Sequence, residues 1–408
     1  MSCIAEKGKE SIDKELENLY AQGLGQSLER FPLKKVMQTA WQEIFFGDTA
    51  SFSSNKRLDL MREKECYRAV FCNGYFLAEE SFLPDSVNVY AWKEAKELFA
   101  GWRAMLSSRC EKLASFAFGS IGKGFEEKGA IIHVQEGAKI EKPLYLLYLT
   151  DPKRENNLEA FSIEVMVGSN AAVSFISEYP EISNTAWING QVKISIEKEG
   201  RCTWLEQVVD SSILKTQSLS VLVKEDARFD GVSLSSGSSR GEYTQVQGVL
   251  EGKRSFGSFR SLSLLKEGQS HWQEVAFYHQ GEATESHQLI KTVVSDKAFS
   301  SFAGCIDVSK EAQQTDAYQL NENILLGERG VVFSCPGLEI RADDVKASHG
   351  CTISKLDKGA LFYLMSRGVD ARAAERLLLE GFCMAFLKQA EISTEQEAFA
   401  AFVRGFLL

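Results

Sequence analysis

AAVSFIS (Ala171–Ser177), CTWLEQV (Cys202–Val208) and FDGVSLS (Phe229–Ser235) decide the fold of this chain. In each, side chains alternate with a period of 2, which sends successive residues to opposite faces of a strand. Each follows a short turn, and the turns along the chain are alike. They are Gln135–Ala138 (QEGA), Val167–Asn170 (VGSN), Glu197–Gly200 (EKEG), Lys224–Ala227 (KEDA), Lys266–Gly268 (KEG) and Lys310–Ala312 (KEA). From about Gly129 this pattern continues for some two hundred residues with no helical crossover. The spacing is irregular, so the repeat is degenerate.

Two architectures absorb so many consecutive strands: a sandwich or barrel, and a parallel β-helix. A sandwich of this length would want more Asn-Gly hairpin turns than the segment contains. A β-helix stacks each coil on the last and leaves two ends to be covered. Helical segments at both termini are natural caps for such a stack. The expected fold is therefore mainly β, a parallel β-helix between helical domains, divided at 1–115, 116–345 and 346–408.

Residues 1–112 are read as predominantly helical, with apolar stripes at Ile12, Leu16, Leu19 and Tyr20, and at Val36, Ala40, Trp41 and Ile44. Arg68–Leu77 interrupts them as a hairpin around Asn73-Gly74, and Trp92–Leu113 returns to helix. Composition narrows the class further. The chain has 408 residues, 44% hydrophobic and 25% charged, the profile of a globular protein. A formal charge of −10 argues against a nucleic-acid binder. No apolar run approaches the ~18 residues that span a bilayer, and no secretory h-region is visible. Nine cysteines without a CxxC pair fit reduced thiols in a cytoplasm better than a disulfide framework or a structural zinc site. Gly119–Gly124 lacks the spacing of a phosphate-binding loop, and no G-x-S-x-G elbow occurs. A non-catalytic protein is the expectation.

The segment RADDVKASHGCTISKLDKGALFYLMSRGVDARAAERLLLEGF (Arg341–Phe382) carries the candidate site. His349 and Cys351, two apart in extended backbone, point to the same side, so imidazole and thiol can face one ligand. Gly350 permits close approach of another backbone. The bland alternatives are a histidine bonded to a nearby carbonyl and a small buried cysteine, the latter being the common fate of a free thiol. Asp357 stands where an N-cap belongs, Gly368 is a left-handed stop, and Asp370 caps the next helix. A last helix is expected over Thr394–Leu407, after a capping box at Ser393 and Gln396. Leu377, Leu378, Leu379, Phe382, Met384, Phe386 and Leu387 supply more apolar side chains than one narrow stripe hides, which suggests a docked partner, with Leu361, Phe362, Leu364, Leu377, Leu378 and Phe382 as the docking residues. In the strand His271–His279, alternate residues form a mixed face more like a buried wall than a metal cage. Thr315, Asp316 and Gln319 suit a ladder of satisfied polar side chains in the last coils.

The run ADDVKASHGCT…LFYLMSRGV…ARAAERLLLEGF resembles the C-terminal signature of the SufB/SufD family of iron–sulfur cluster assembly proteins. EAQQTDAYQLNENILL (Glu311–Leu326) and GAIIHVQEGAKIEKPLYLLYLT (Gly129–Thr150) resemble other parts of it. The resemblance covers roughly residues 129–387. It implies a right-handed parallel β-helix, a non-catalytic scaffold, pairing with a SufB-like subunit or a second copy, and docking of a SufC-like ABC ATPase by the C-terminal helices. It implies no tightly bound cofactor in the isolated chain, and iron or a nascent cluster handled transiently at the interface near His349. The SHG form around His349 is similar to SufD, and the SufB scaffold cysteine would fall near Gly330, where none stands. Cys351 departs from the family, which usually has Ala there and often a cysteine at the position of Ala347. A homodimeric SufB-like scaffold binding cluster through Cys335 or Cys351 is the alternative, and a carbohydrate-acting β-helix enzyme is a more distant one.

Overall fold

The computed structural model describes residues 42–43, 56–109, 128–149, 157–179, 187–208, 213–390 and 396–407. Strands alternate between two facing sheets. One is built from β5 (Gly129–Val134), β7 (Asn157–Val167), β9 (Trp187–Ile196), β11 (Leu214–Val223), β13 (Glu242–Leu250), β15 (Ser270–His279), β17 (Phe299–Val308) and β19 (Val331–Ile340). The other holds β6 (Leu144–Leu149), β8 (Ala172–Glu178), β10 (Arg201–Val208), β12 (Arg228–Ser235), β14 (Phe256–Leu265), β16 (Glu285–Val294), β18 (Thr315–Leu325) and β20 (Val345–Ser354). Each of these strands pairs in parallel with the strand two further along the chain. The result is a β-solenoid of about seven turns.

Corners repeat because each must reverse the chain in a few residues. At one row of corners the third residue takes the left-handed conformation: Asn170, Glu199, Asp226, Arg254, Ala283 and Gln314, all with φ between 54° and 61°. Only some of these are residues that tolerate positive φ cheaply, so stacking imposes the conformation on the others. Corner side chains then pair across coils, as in Arg254–Asp226 (2.5 Å) and Lys253–Glu282 (2.6 Å). Such exposed pairs contribute little stability each.

The inner faces form the main core. In the first coils they are apolar, with Phe161, Ile163 and Val165 opposite Val173 and Phe175. An aromatic stack joins them, Tyr148 lying 4.7 Å from Phe161 and 4.8 Å from Tyr179 at interplanar angles of 16°. From β10 onward polar residues join the apolar ones on the inner face. Lys215 lies between Glu206 and Glu242 with all three side chains buried, and Gln217 donates to Glu206 (2.7 Å). Polar residues continue as far as Gln319, Asn321 and Asn323 on β18, all buried.

Both outer faces are covered in part by helices. Short helices α2 (Trp92–Leu98) and α3 (Ala100–Arg109) lie on the first sheet, with Trp92 and Ala95 against Ile131 and Leu106 against Leu222 and Val249. Helices α5 (Ala371–Ala390) and α6 (Gln396–Leu407) lie on the second. There Leu379, Cys383, Phe386, Phe399 and Phe402 cover Leu205, Val232, Leu262, Leu264 and Val293.

Two expected boundaries shift. The hairpin at Asn73-Gly74 exists, between β2 (Arg68–Cys72) and β3 (Tyr75–Phe82), but it belongs to the solenoid. β2 pairs in parallel with β6, and β4 (Val87–Ala91) pairs antiparallel with β5. The cause is the alternation in β2: Ala69 and Phe71 join the inner core, while Val70 and Cys72 pack under α1 (Lys56–Glu63). At the other end the solenoid runs past residue 345, because β20 keeps ten residues in register with β18. The stripe at residues 12–20, the second stripe's Val36, Ala40, Trp41 and Ile44, the glycine-rich run 119–124 and the cap at Ser393 lie outside the described residues; within the second stretch, expected to be helical, Gln42–Glu43 is instead a short strand paired in parallel with β7.

Gly248 and Gly257 make room for one ring. A Cβ at either would meet the buried Phe277 side chain, at 2.5 and 2.4 Å. Gly248→Val is expected to lower stability by about 1–3 kcal/mol through overpacking. The measurement is the urea midpoint, and adding Phe277→Leu should recover part of the loss.

Candidate functional site at the open end of the solenoid

The last coil, β19 and β20, has no coil stacked on it among the described residues: β19 pairs with β17 and β20 with β18. Both strands therefore present an unpaired edge. The inner face of β20 is also left open. His349 and Cys351 lie on that face, in register with Gln319 and Asn321 of β18 beneath them. Both are exposed, unlike the inner-facing residues one coil below.

The expectation that Cys351 is a buried small hydrophobe therefore fails: it faces inward where there is no longer an inside. Its sulfur lies 3.1 Å from Ser334 Oγ and 3.7 Å from Asn321 Oδ1. Ser334 in turn donates to Asn321 Oδ1 at 2.7 Å. Cys335, the next residue, points to the outer face of β19 by alternation and is exposed there. It cannot share a ligand with His349 from that position. Gly350 points outward, and its Cβ position lies 3.2 Å from Leu320 Cδ1, so it meets a side chain and not a backbone. The acid pair Asp343 and Asp344 belongs to the last corner, where Asp344 N donates to the Gln313 side-chain Oε1 (3.0 Å) and its carbonyl accepts from Gln314 N (2.6 Å).

The other four histidines lie elsewhere. His133 is half-buried, its ring 6.3 Å from that of Phe99. His271 is buried, with Nδ1 2.9 Å from Ser263 Oγ. His279 is buried between Thr284 Oγ1 and Ser286 Oγ, both 2.8 Å away. His287 is exposed beside Glu285 (3.1 Å). Among the described residues no group of three or more His, Cys, Asp or Glu is placed to hold a metal ion. Of the expected polar ladder, Thr315 is satisfied by Ala312 O (2.8 Å) and lies 3.2 Å from the Thr284 hydroxyl, and Gln319 donates to Gln288 (2.6 Å). Asp316 is exposed and takes no part.

Beyond β20 the chain turns into α4 (Lys358–Ser366). Asp357 caps it, accepting from Gly359 N (2.6 Å) and Ala360 N (3.1 Å). Gly368 closes it with φ +89°, and Asp370 accepts from Ala373 N (3.0 Å) at the start of α5. No residue of α4 is buried. Phe362 is 74% and Leu377 50% exposed, and Tyr363 and Met365 extend the apolar surface. Leu361, Leu364 and Leu378 are half-buried. Phe382 is half-buried too, but it lies over the Lys291 ammonium (4.5 Å) and packs on the core beneath α5.

The geometry defines a class: a parallel β-solenoid, hydrogen-bonded by polar groups inside its last coils, ending in an uncapped imidazole and thiol. Residues 150–382, more than half of the chain, match the model of the SUF system FeS cluster assembly SufBD core domain, and the chain belongs to that family. It is 27% identical over 346 residues to an iron–sulfur cluster assembly SufBD family protein of Synechocystis, covering 81% of this chain and 75% of that one. It is 28% identical over 256 residues to the iron–sulfur cluster assembly protein SufD of Escherichia coli, covering 62% and 60%. To the SufB protein of Bacillus subtilis it is 21% identical over 304 residues, covering 73% and 63%. One relative, 27% identical over 352 residues, is a chloroplastic protein of Arabidopsis thaliana. No helix among the described residues is long and apolar enough to cross a membrane.

Burial holds the His279 imidazole neutral, pushing its pKa down to about 3. In the unfolded chain it takes a proton near 6.5. The unfolded state thus binds more protons between these values, so stability is complete above pH 6.5 and is lost as pH falls toward 3. His279→Asn is expected to flatten the fall of the urea midpoint between pH 6.5 and 4; an unchanged slope contradicts the assignment.

Proposed function

We propose that this chain is a SufD-like scaffold subunit, non-catalytic itself, that pairs through its open end with a SufB-like subunit and docks a SufC-type ATPase on its C-terminal helices. The observation that carries the reading is the uncapped last coil. Two strand edges and an inner face bearing imidazole and thiol stand exposed where another chain can continue the stack. Unpaired edges are a liability that proteins ordinarily cover, so their presence beside soft and borderline donors argues for a partner that completes a site.

SufD is favoured over SufB by one local fact. Near Gly330, where a SufB-like cysteine would fall, a Cβ would meet Ser295 O at 2.8 Å. That close approach disfavours a side chain there. The nearest thiol, Cys335, faces the opposite side of the strand from the site, which also weighs against a self-sufficient SufB-like scaffold. In the proposed complex the nascent cluster is cargo, with most ligands supplied by the partner and His349 and Cys351 contributed by this chain. The exposed Phe362, Tyr363, Met365 and Leu377 are the surface on which ATP-driven movement would be received. A cytoplasmic or organelle-stroma setting suits such a complex, since both keep thiols reduced.

His349→Ala should leave the unfolding midpoint unchanged, because the ring has no packing to lose, while cluster assembly by the complex falls at least tenfold. Unimpaired assembly removes His349 from the site. Phe362→Asp with Leu377→Asp should abolish co-purification of the ATPase without disturbing pairing with the SufB-like subunit. Retained ATPase in that variant rejects the docking surface.

A further inference from the structure

The stretch EAQQTDAYQLNENILL (311–326) is only partly explained by stacking. Thr315 and Asn321 have partners, but Gln319 Oε1 and Asn323 Oδ1 do not. Gln319 is fully buried, donates its Nε2 to Gln288, and has an Oε1 with no hydrogen-bond partner. Its amide reaches across the interior to β17, where a Cβ at Gly304 would lie 2.3 Å from the Gln319 nitrogen. The amide is thus held in place, and its nitrogen is committed to the coil below. The spare oxygen belongs to the residue directly in register with His349. Beside it Asn321, in register with Cys351, gathers three contacts on one oxygen: Ser334 Oγ at 2.7 Å, Asn323 Nδ2 at 2.6 Å and Cys351 Sγ at 3.7 Å. Ser334 Oγ stands between Asn321 and the sulfur, 3.1 Å from the latter.

A buried carbonyl without a donor is costly and calls for a reason. We propose that Gln319 and Ser334 are positioning residues for a thiophilic divalent cation held by His349 and Cys351. One imidazole nitrogen takes the cation while the N–H of the other donates to Gln319 Oε1, the arrangement that orients most metal-binding histidines. The Cys351 thiol gives its proton to solvent as the sulfur takes the cation. The Ser334 hydroxyl, whose proton points to Asn321 while the thiol is intact, turns to donate to the thiolate. Asn321 keeps its bond from Asn323. This rests on the reading that His349 and Cys351 face the assembly site, and it assigns the floor beneath them.

The test is titration of cobalt(II) into the reduced full-length chain, following the thiolate-to-cobalt charge-transfer band. Wild type should show the band, Cys351→Ala should lose it, and His349→Ala should weaken binding. Ser334→Ala should weaken cobalt binding about 10–100-fold while the unfolding midpoint holds, and Gln319→Met should weaken it as much with a lowered midpoint, because Gln288 Oε1 loses its donor. Gln319→Glu, which keeps an acceptor of the same length but loses the donor to Gln288, should bind cobalt more tightly than Gln319→Met. Ser334→Ala carries the test alone if Gln319→Met fails to fold. Affinity unchanged in Ser334→Ala and Gln319→Met, with the band still lost in Cys351→Ala, overturns the positioning role and leaves the site standing. A wild-type chain without a thiolate band, or a band that survives Cys351→Ala, sinks the site as well.

Discussion

In-register stacking of parallel strands is the constraint on which everything else depends. Because each strand repeats the alternation of the one beneath it, a residue's fate is set by its row as much as by its chemistry. Lys215 and Glu242 are direct neighbours in adjacent strands and share a row, which is why a lysine and two carboxylates are buried together in the interior. Breaking such a buried set by removing one partner is far more damaging than never having made it. The same inheritance places Gln319 beneath His349 and Asn321 beneath Cys351.

The interior changes character along the stack, and that change prepares the end. Apolar rings and aliphatic chains fill the first coils, where every inner atom is shielded from water on both sides. Toward β20 the rows of Gln319, Asn321 and Asn323 become amide, while the cluster of Ile306, Ala317, Leu338, Val345 and Ala347 stays apolar to the last coil. The polar rows leave a floor of donors and acceptors where the last coil is open. The helices settle the other faces. α5 and α6 cover the sheet whose outer rows are leucine and valine, whereas α4 stands off with nothing buried and its aromatic residues exposed.

Much of this was legible in the residues. The period of 2, the kinship of the corners and the Asn73-Gly74 hairpin declared strands, and the scarcity of further hairpins declared a solenoid. Asp357, Gly368 and Asp370 marked helix ends because capping is local chemistry, readable over four residues. The end of the solenoid was not readable. VKASHGCTIS looks like a polar approach to a helix because the last strand has no coil above it to demand apolar inner residues. Cys351 was a candidate for burial because free thiols usually are buried, and only the missing coil above it exposes it. Nor did the sequence show that Arg254 and Ala283 occupy left-handed corners, since neither residue favours that conformation and only the stack requires it.

The central claim is that the imidazole on the final strand is free in the lone chain and is covered when the stack is continued by a partner. Diethylpyrocarbonate labelling followed by mass spectrometry reads this directly. The account predicts rapid modification of His349 in the isolated chain, strong protection once the SufB-like subunit is bound, and slow labelling of His271 and His279 throughout. His349 equally reactive in the presence and absence of the partner, or as unreactive in the free chain as the two buried rings, would contradict it.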